Sequence, residues 1–242
     1  LMAVARSDSG TAFVASGGYV ATISVTTLTV SAGSDLALYA GLGRGQLVVS
    51  TPTFTWNSVS MTLVTNKANS EARIDLARLL APATGNNTLT ASWTGSCPAT
   101  IGAAAFSGVD QTTPEVTADT VTATGTSTTP ATGAVTSATN DATLGLSGAS
   151  ASAGNGSFTT PEAFTNEYRV TTNHEVATSM SSELGGTSNN HTFTCAPSSP
   201  WSAIGIHIKA AAAGGGNNLG PLFVGALDGI GTGGFFFKDR LH

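Results

Sequence analysis

The segment Ser34-Asp-Leu-Ala-Leu-Tyr-Ala-Gly-Leu42 decides the fold class of this chain. Within it an apolar side chain returns at every second position, at Leu36, Leu38, Ala40 and Leu42. Side chains two residues apart share one face of a β-strand, whereas a helical face repeats every three or four residues. The segment therefore predicts a β-strand with one apolar face.

The same alternation recurs along the chain, and clusters of Gly, Pro, Asn and Ser separate the alternating segments. It is found at Leu89, Ala91 and Trp93, at Phe164, Tyr168 and Val170, and at Ile204, Ile206 and Ile208. Many short strands with frequent turn signals are typical of a sandwich or barrel. We expect an all-β fold, an antiparallel β-sandwich of the jelly-roll type, followed by an extended Gly-rich C-terminal arm.

Two slips interrupt the apolar pattern. One lies between Val25 and Leu28, and the other lies near Ser58. A slip of one residue is what a β-bulge, or a break between two strands, produces. We therefore expect an irregular strand or a strand boundary at both places.

Residues 69–80 fit two kinds of secondary structure. Ser70 is a suitable N-cap, and the segment is rich in helix-forming residues. The same segment alternates as a strand at Ala72, Ile74 and Leu76. We favour the strand because the rest of the chain is predicted to be β.

The composition excludes several classes of protein. The 242 residues can bury a full core in one domain, yet only 10% of them are charged, against about 25% in a typical soluble domain. Thr, Ser, Asn and Gly are therefore expected to cover the surface, as suits a secreted or particle-borne β protein. The nine Lys and Arg are scattered and the net charge is −5, so we expect no nucleic-acid partner. No apolar run approaches the roughly 20 residues that span a bilayer, so we expect no membrane insertion.

The composition changes near the C-terminus, which predicts a sandwich over residues 1–212 and an arm over residues 213–242. The arm begins in a linker of small residues and carries two apolar patches. It either folds back on its own domain or docks on a neighbouring subunit. The residues predicted to make the subunit contact are Leu222, Phe223, Val224, Phe235, Phe236 and Phe237.

The two cysteines precede similar apolar segments. Cys97 comes shortly before Ile101–Phe106, and Cys195 comes shortly before Ile204–Ile208. If these strands run parallel or face each other, both cysteines lie near the same end of the sandwich. A disulfide is then possible and would stabilise the fold by about 4 kcal/mol in the entropic account. Two free buried thiols are the alternative.

The sequence contains no arrangement of residues that indicates catalysis, a cofactor or a metal site. Gly41–Gly45 lacks the Lys-Ser/Thr end of a phosphate-binding loop, and no Gly-x-Ser-x-Gly is present. His191 and Cys195 lack two further zinc ligands at the usual spacing. His207 lies opposite the isoleucine face of its strand, so we expect it at the solvent or at a subunit contact. We predict that the protein is not an enzyme.

Tryptophans are the candidates for a binding role. A carbohydrate site usually presents exposed aromatic rings on which sugars stack. Trp56, Trp93 and Trp201 would supply such rings, but their places in alternating segments favour the core.

One stretch carries a family resemblance. Ile101-Gly-Ala-Ala-Ala-Phe-Ser-Gly-Val-Asp-Gln-Thr-Thr-Pro114 resembles a group of jelly-roll-like β-sandwich domains encoded by bacteriophages and found also in secreted bacterial proteins. Four further segments fit that group in order, over roughly residues 3–212: Ser34–Leu42, Ala72–Gly85, Asn87–Trp93 and Pro200–Lys209. The group offers no catalytic residue to carry over.

The resemblance implies a structural protein of a bacteriophage particle, as capsid decoration, head fibre or tail-associated subunit. Its partners would be other copies of itself and other virion proteins, at the virion surface or outside the cell. The alternative is a secreted adhesive or carbohydrate-binding module, whose partners would be glycans.

Overall fold

A computed structural model describes residues 2–9, 12–16, 18–45, 50–150, 157–160, 165–169 and 176–212. The chain divides into two units, Leu1–Ala212 and Ala213–His242, and the second lies outside the described residues. The described part is built of antiparallel strands, which confirms the predicted all-β class. No helix there has the length and apolar character needed to cross a membrane.

In the described residues the strands, numbered β1 to β20 along the chain, form three sheets and two ribbons. Sheet 1 has the order β2 (Asp8–Ser9), β4 (Val20–Val30), β10 (Gly85–Cys97), β6 (Thr53–Trp56), β7 (Val59–Ser60). Sheet 2 has the order β1 (Ala5–Arg6), β11 (Ala99–Ser107), β5 (Ala37–Gly45), β9 (Ala72–Leu80), β8 (Thr62–Ala68), and β3 (Ala12–Ala15) also pairs with β11. Sheet 3 has the order β12 (Val121–Ser127), β20 (Ser199–Ile208), β14 (Ala142–Ser150), β17 (Val176–Leu184), β16 (Thr165–Arg169). The ribbons are β13 (Ala131–Thr136) with β18 (Ser188–Thr192), and β15 (Ser157–Thr160) with β19 (Thr194–Ala196).

Sheet 2 is buried on both faces, so the sheets are stacked three deep. Leu38 and Leu42 of β5 lie in core 1, the apolar cluster between sheets 1 and 2. Tyr39, the neighbour of Leu38, lies in core 2, between sheets 2 and 3. A third cluster, core 3, includes Phe158 and Trp201 and lies on the far face of sheet 3. The predicted single apolar face of β5 is therefore corrected: its second face is also covered.

Small residues allow sheet 3 to approach the second face of sheet 2. A Cβ added at Gly43 would lie 2.2 Å from Cγ2 of Thr178 in β17, and one at Gly148 would lie 2.4 Å from Cγ2 of Ile74 in β9. Real Cβ atoms do not approach other heavy atoms so closely. The glycines of β5 and β14 therefore set the spacing between these two layers.

Both slips in the apolar pattern correspond to real irregularities. In β4, Val25 pairs with Leu89 while Leu28 pairs with Asn87, so two residues of β4 oppose one of β10 in a β-bulge. At the other slip, Asn57 and Ser58 have φ of 48° and 66°. Positive φ at both positions is typical of a two-residue hairpin turn, here between β6 and β7.

Residues 72–80 form β9, in the middle of sheet 2. The strand prediction is thus confirmed and the helical alternative is wrong. Ile74 and Leu76 lie in core 2, and Ala77 lies in core 1. Burial on two faces outweighs the helix propensity of this segment, because a strand in mid-sheet satisfies its backbone on both sides.

Candidate functional site

The family-like stretch ends in a corner that joins sheet 2 to sheet 3, and we call residues 108–115 the corner segment. The Val109 N–H donates to Asp35 O, 2.9 Å away, just before β5. The Asp110 N–H donates to Lys209 O, also at 2.9 Å, just after β20. Val109 is fully buried and forms a β-bridge with Ala210. The segment therefore fastens the two sheets together.

Asp110 holds the corner in its turn. Its Oδ1 accepts hydrogen bonds from the backbone N–H of Thr112 and of Thr113, at 2.8 and 3.0 Å. Its Oδ2 lies 2.9 Å from Nζ of Lys209. The Thr113 N–H, followed by Lys209 and the Thr112 N–H, lowers the pKa of the Asp110 carboxyl well below its ordinary value. Asp110 is thus a charged turn anchor.

Glu115 extends the same connection into core 2. Its Oε1 accepts a 2.8 Å hydrogen bond from the buried Tyr39 hydroxyl, and its Oε2 pairs with Arg78 of β9. Burial, reinforced by the Glu115 charge, raises the pKa of Tyr39 well above its ordinary value. Tyr39 therefore stays a neutral hydrogen-bond donor, and this contact joins the corner to two strands of sheet 2.

His207 is buried, not at the solvent or at a subunit contact as the sequence suggested, and this prediction is wrong. Its Nδ1 lies 2.8 Å from Oδ2 of Asp119, and its Nε2 lies 2.6 Å from Oδ2 of Asp141. Each ring nitrogen is therefore within hydrogen-bonding distance of a carboxylate oxygen. Asp141 also accepts a 2.8 Å hydrogen bond from the Ala210 N–H. The alternating pattern could not show that the short 3-10 helix Thr117–Asp119 and the turn bearing Asp141 pack over this face of β20.

His191 is fully buried between two hydroxyl groups. Its Nδ1 lies 2.8 Å from Oγ of Ser181, and its Nε2 lies 2.9 Å from Oγ1 of Thr143. Burial lowers the pKa of His191 to about 3, so the ring is neutral at ordinary pH. Although a Ser–His contact is one element of a nucleophilic site, this one is sealed inside the fold and serves packing.

A charged cluster lies at the edge of core 1. Arg44 and Asp75 are both fully buried, and the Arg44 Nη2 donates to Oδ2 of Asp75 at 2.9 Å. The Arg73 Nε donates to the other carboxylate oxygen at 3.0 Å. The Arg44 guanidinium also lies over the Trp93 ring, 5.4 Å from its centroid. This cluster links β5, β9 and β10, and no sequence pattern other than charged residues within predicted strands indicates it.

Both cysteines are free thiols, so the structure contains the second of the two alternatives. Cys97 lies in core 1 and Cys195 lies in core 3, on opposite sides of sheets 2 and 3. Packed sheets are about 10 Å apart, whereas the Cβ atoms of a disulfide lie about 4 Å apart. Burial raises the pKa of both thiols. The similar segments that follow them lie in different sheets, so the similarity of these segments does not place the two cysteines close together.

All three tryptophans belong to cores. Trp56 and Trp93 lie in core 1, and Trp201 lies in core 3 with its Nε1 donating to Oγ of Ser127 at 3.0 Å. This agrees with the core interpretation and leaves these rings without a face for a sugar. In the described residues, the aromatic side chain most open to solvent is Tyr19, at 59% exposed.

The remaining candidate residues can be placed only in part. The predicted contact residues Leu222, Phe223, Val224, Phe235, Phe236 and Phe237 lie outside the described residues. A surface depression of about 280 Å³ beside the corner segment is lined by Asp35, Pro82 and Gln111 among others. Within the described ranges no group of three or more His, Cys, Asp or Glu side chains is arranged to hold a metal ion.

Comparisons with protein-family models, with curated proteins and with solved structures give no match for this chain.

Proposed function

We propose that this chain is a structural subunit of a bacteriophage particle, serving as capsid decoration, head fibre or tail-associated protein without catalysis. The observation that carries the proposal is the way in which buried and half-buried polar and charged side chains are used. Three sets of contacts each join separate parts of the chain: the Arg44–Asp75 pair, the contacts of His207 with two aspartates, and those of Glu115. Carboxylate, guanidinium and imidazole groups of the kind that many enzymes use for catalysis here hold strands and loops together, which suits a rigid structural subunit.

The resemblance of Ile101–Pro114 supports the bacteriophage assignment and the finer jelly-roll type. The corner segment supplies a physical reason for that stretch, because Val109 and Asp110 connect two sheets. A surface poor in charge also suits close packing of many copies, since fewer ions must be desolvated at each contact. The subunit would lie at the virion surface or outside the cell.

The assembly contact is assigned to the C-terminal apolar patches. Burial of apolar surface contributes about 25 cal/mol per Å², so three Phe with the nearby Leu and Val could supply several kcal/mol per subunit. Such a contact needs no change in the sandwich unit. Docking on a neighbouring copy is the mode we propose.

Native mass by light scattering tests this function. We compare the full chain with a variant lacking Gly214–His242 and with the full-length variant F235S/F236S/F237S. The full chain is expected to form a defined oligomer or a polymer, and both variants are expected to be monomers with unchanged thermal unfolding. Oligomers that persist without the tail would contradict the arm contact, and a monomeric full chain would contradict the structural-subunit proposal itself.

A further inference from the structure

The edge strands of the three sheets differ in how they are protected. An exposed edge offers unpaired N–H and C=O groups to other chains, and proteins blunt such edges with short strands, bulges, charges or prolines. In the described residues, β1, β2 and β7 have only two residues each, and β3 has four. β4 contains the bulge opposite β10.

Two longer edges are also blunted. β8, at the edge of sheet 2, has a register shift between Leu63 and Thr65 and carries Lys67. β16, at one edge of sheet 3, has a register shift between Asn166 and Tyr168. These features disfavour the addition of a further strand.

β12 is different. It forms the other edge of sheet 3 and has the sequence Val121-Thr-Ala-Thr-Gly-Thr-Ser127, with no charge and no proline. Its seven residues pair with β20 in an unbroken register from Val121–Gly205 to Ser127–Ser199. Thr122, Thr124 and Thr126 are exposed. β12 is therefore the longest straight, uncharged edge in the described parts of the three sheets.

The sequence of β12 fits a second copy of itself. An antiparallel pair centred on Thr124 places Thr124 opposite Thr124, Thr122 opposite Thr126, and Ala123 opposite Gly125. Threonines then face threonines on one side of the sheet, which is a favourable cross-strand pair, and the small residues meet on the other. The central sheet of such a pair runs from β16 of one copy to β16 of the other.

We propose that β12 is a second self-association surface, which pairs antiparallel with β12 of another copy about a two-fold axis at Thr124. The proposal rests on the proposed function in one respect, namely that the protein works in many copies. An edge of seven residues buries less than the 1,200–2,000 Å² or so of a standard interface, so a single contact is weak. In an assembly held also by the C-terminal arm, the contacts reinforce one another.

Cysteine cross-linking of the full chain tests the pairing and its register. In T124C the two introduced cysteines are directly opposite, with Cα atoms about 4.5–5.5 Å apart, which lies within disulfide range. In T122C the equivalent atoms are four residues apart along the strand, or about 14 Å. We expect T124C to form a disulfide-linked dimer under mild oxidation and T122C to form no disulfide, while a mixture of T122C and T126C cross-links. Cys97 and Cys195 are buried and do not compete.

A charge variant supplies the second measurement. T124K places two ammonium groups face to face and is expected to weaken the self-association of β12 by about fivefold or more. S60K adds the same charge to β7, at an exposed position opposite the uncharged Thr55, and is the matched control, with self-association and thermal unfolding unchanged. Equal cross-linking of T122C and T124C, or no cross-linking of T124C, would overturn the proposal. Neither result would affect the tail truncation, so failure here is distinguishable from failure of the proposed function.

Discussion

Core 1 and the buried positions of sheet 3 contain different types of side chain. Core 1 contains large apolar side chains such as Phe54, Trp56 and Leu42. The buried positions of β14, β17 and β20 include many hydroxyl-bearing residues: Thr143, Ser147, Thr178, Ser179, Ser181, Ser182 and Ser202. Core 1 is thus stabilised mainly by area removed from water, whereas sheet 3 also depends on hydrogen bonds that are individually modest but costly to leave unmade.

Hydroxyl groups therefore have a role in the interior in addition to the expected one at the surface. Thr100 and Thr178 share a 2.9 Å hydrogen bond between sheets 2 and 3, and the Ser202 hydroxyl donates to Ala72 O at 3.3 Å across the same boundary. Short polar side chains thus let layers approach closely while their own polar groups are satisfied. Some of the Ser and Thr residues that take the place of charged residues in the composition therefore lie in the interior.

The largest effect is expected from the charged cluster of core 1. Asp75→Ala leaves two guanidinium groups without their carboxylate and should lower the free energy of unfolding by about 3–5 kcal/mol. Chemical denaturation measures it. The double variant R44M/D75L removes both buried charges and is expected to be more stable than Asp75→Ala. A double variant at least as unstable as the single one would show that the loss comes from packing.

Two alanine substitutions compare the energetic contributions of core 1 and of the hydroxyl groups of sheet 3 directly. Leu42→Ala in core 1 should cost about 2–5 kcal/mol, because it removes buried apolar atoms and leaves a cavity. Ser147→Ala in sheet 3 removes one hydrogen bond, from Oγ to Ser202 O, and should cost about 0.5–1.5 kcal/mol. Urea unfolding of both variants gives the two values. Equal losses would mean that sheet 3 does not differ from core 1 in the way proposed.

His191 should make the stability of the fold sensitive to acid. Its pKa is about 3 when folded and about 6.5 when unfolded, so the unfolded chain binds one more proton between these values. The free energy of unfolding should therefore fall by about 1.4 kcal/mol per pH unit from this group as the pH drops below 6.5. H191Q lacks that proton and should show a shallower decline between pH 6 and 4. Parallel curves for the two proteins would rule the effect out.

The corner segment should give a smaller change than the loss of the Asp75 carboxylate. Asp110→Asn keeps the shape of the side chain but removes its charge from the Thr113 N–H and Lys209, and we expect a loss of about 1–2 kcal/mol at neutral pH. Because the folded pKa is lowered, the contribution is complete above about pH 4 and disappears as the pH falls further. Thermal unfolding of both proteins at pH 7 and pH 3 checks this. A gap that stays constant with pH would contradict the assigned charge effect.

The strands could be predicted because their physical cause is local. A period of two marked β5 and β20, and the slip before Leu28 marked a bulge, since both depend on which neighbours share a face. The second buried face of β5 could not be predicted in this way. The small residues Ala37, Gly41 and Gly43 are compatible with either an exposed or a buried face. They are buried because sheet 3 packs against this face, which the local sequence does not show.

The polar contacts were hidden for a different reason. His207 meets Asp119 and Asp141 across 88 and 66 residues of chain, and no local pattern encodes such a meeting. The two cysteines show the opposite failure, because similar surroundings in the sequence suggested a shared location that the layering does not provide. Pairings between layers depend on topology, which single segments do not specify.

Calorimetry of the full chain tests most directly whether sheet 2 couples sheets 1 and 3, so that residues 1–212 unfold as one cooperative unit. Sheets 1 and 2 come from the first part of the chain and sheet 3 from the second, with core 2 between them. If core 2 couples the two parts, the sandwich unit unfolds in one transition with equal calorimetric and van't Hoff enthalpies. Two separate transitions, one for sheets 1 and 2 and one for sheet 3, would contradict it.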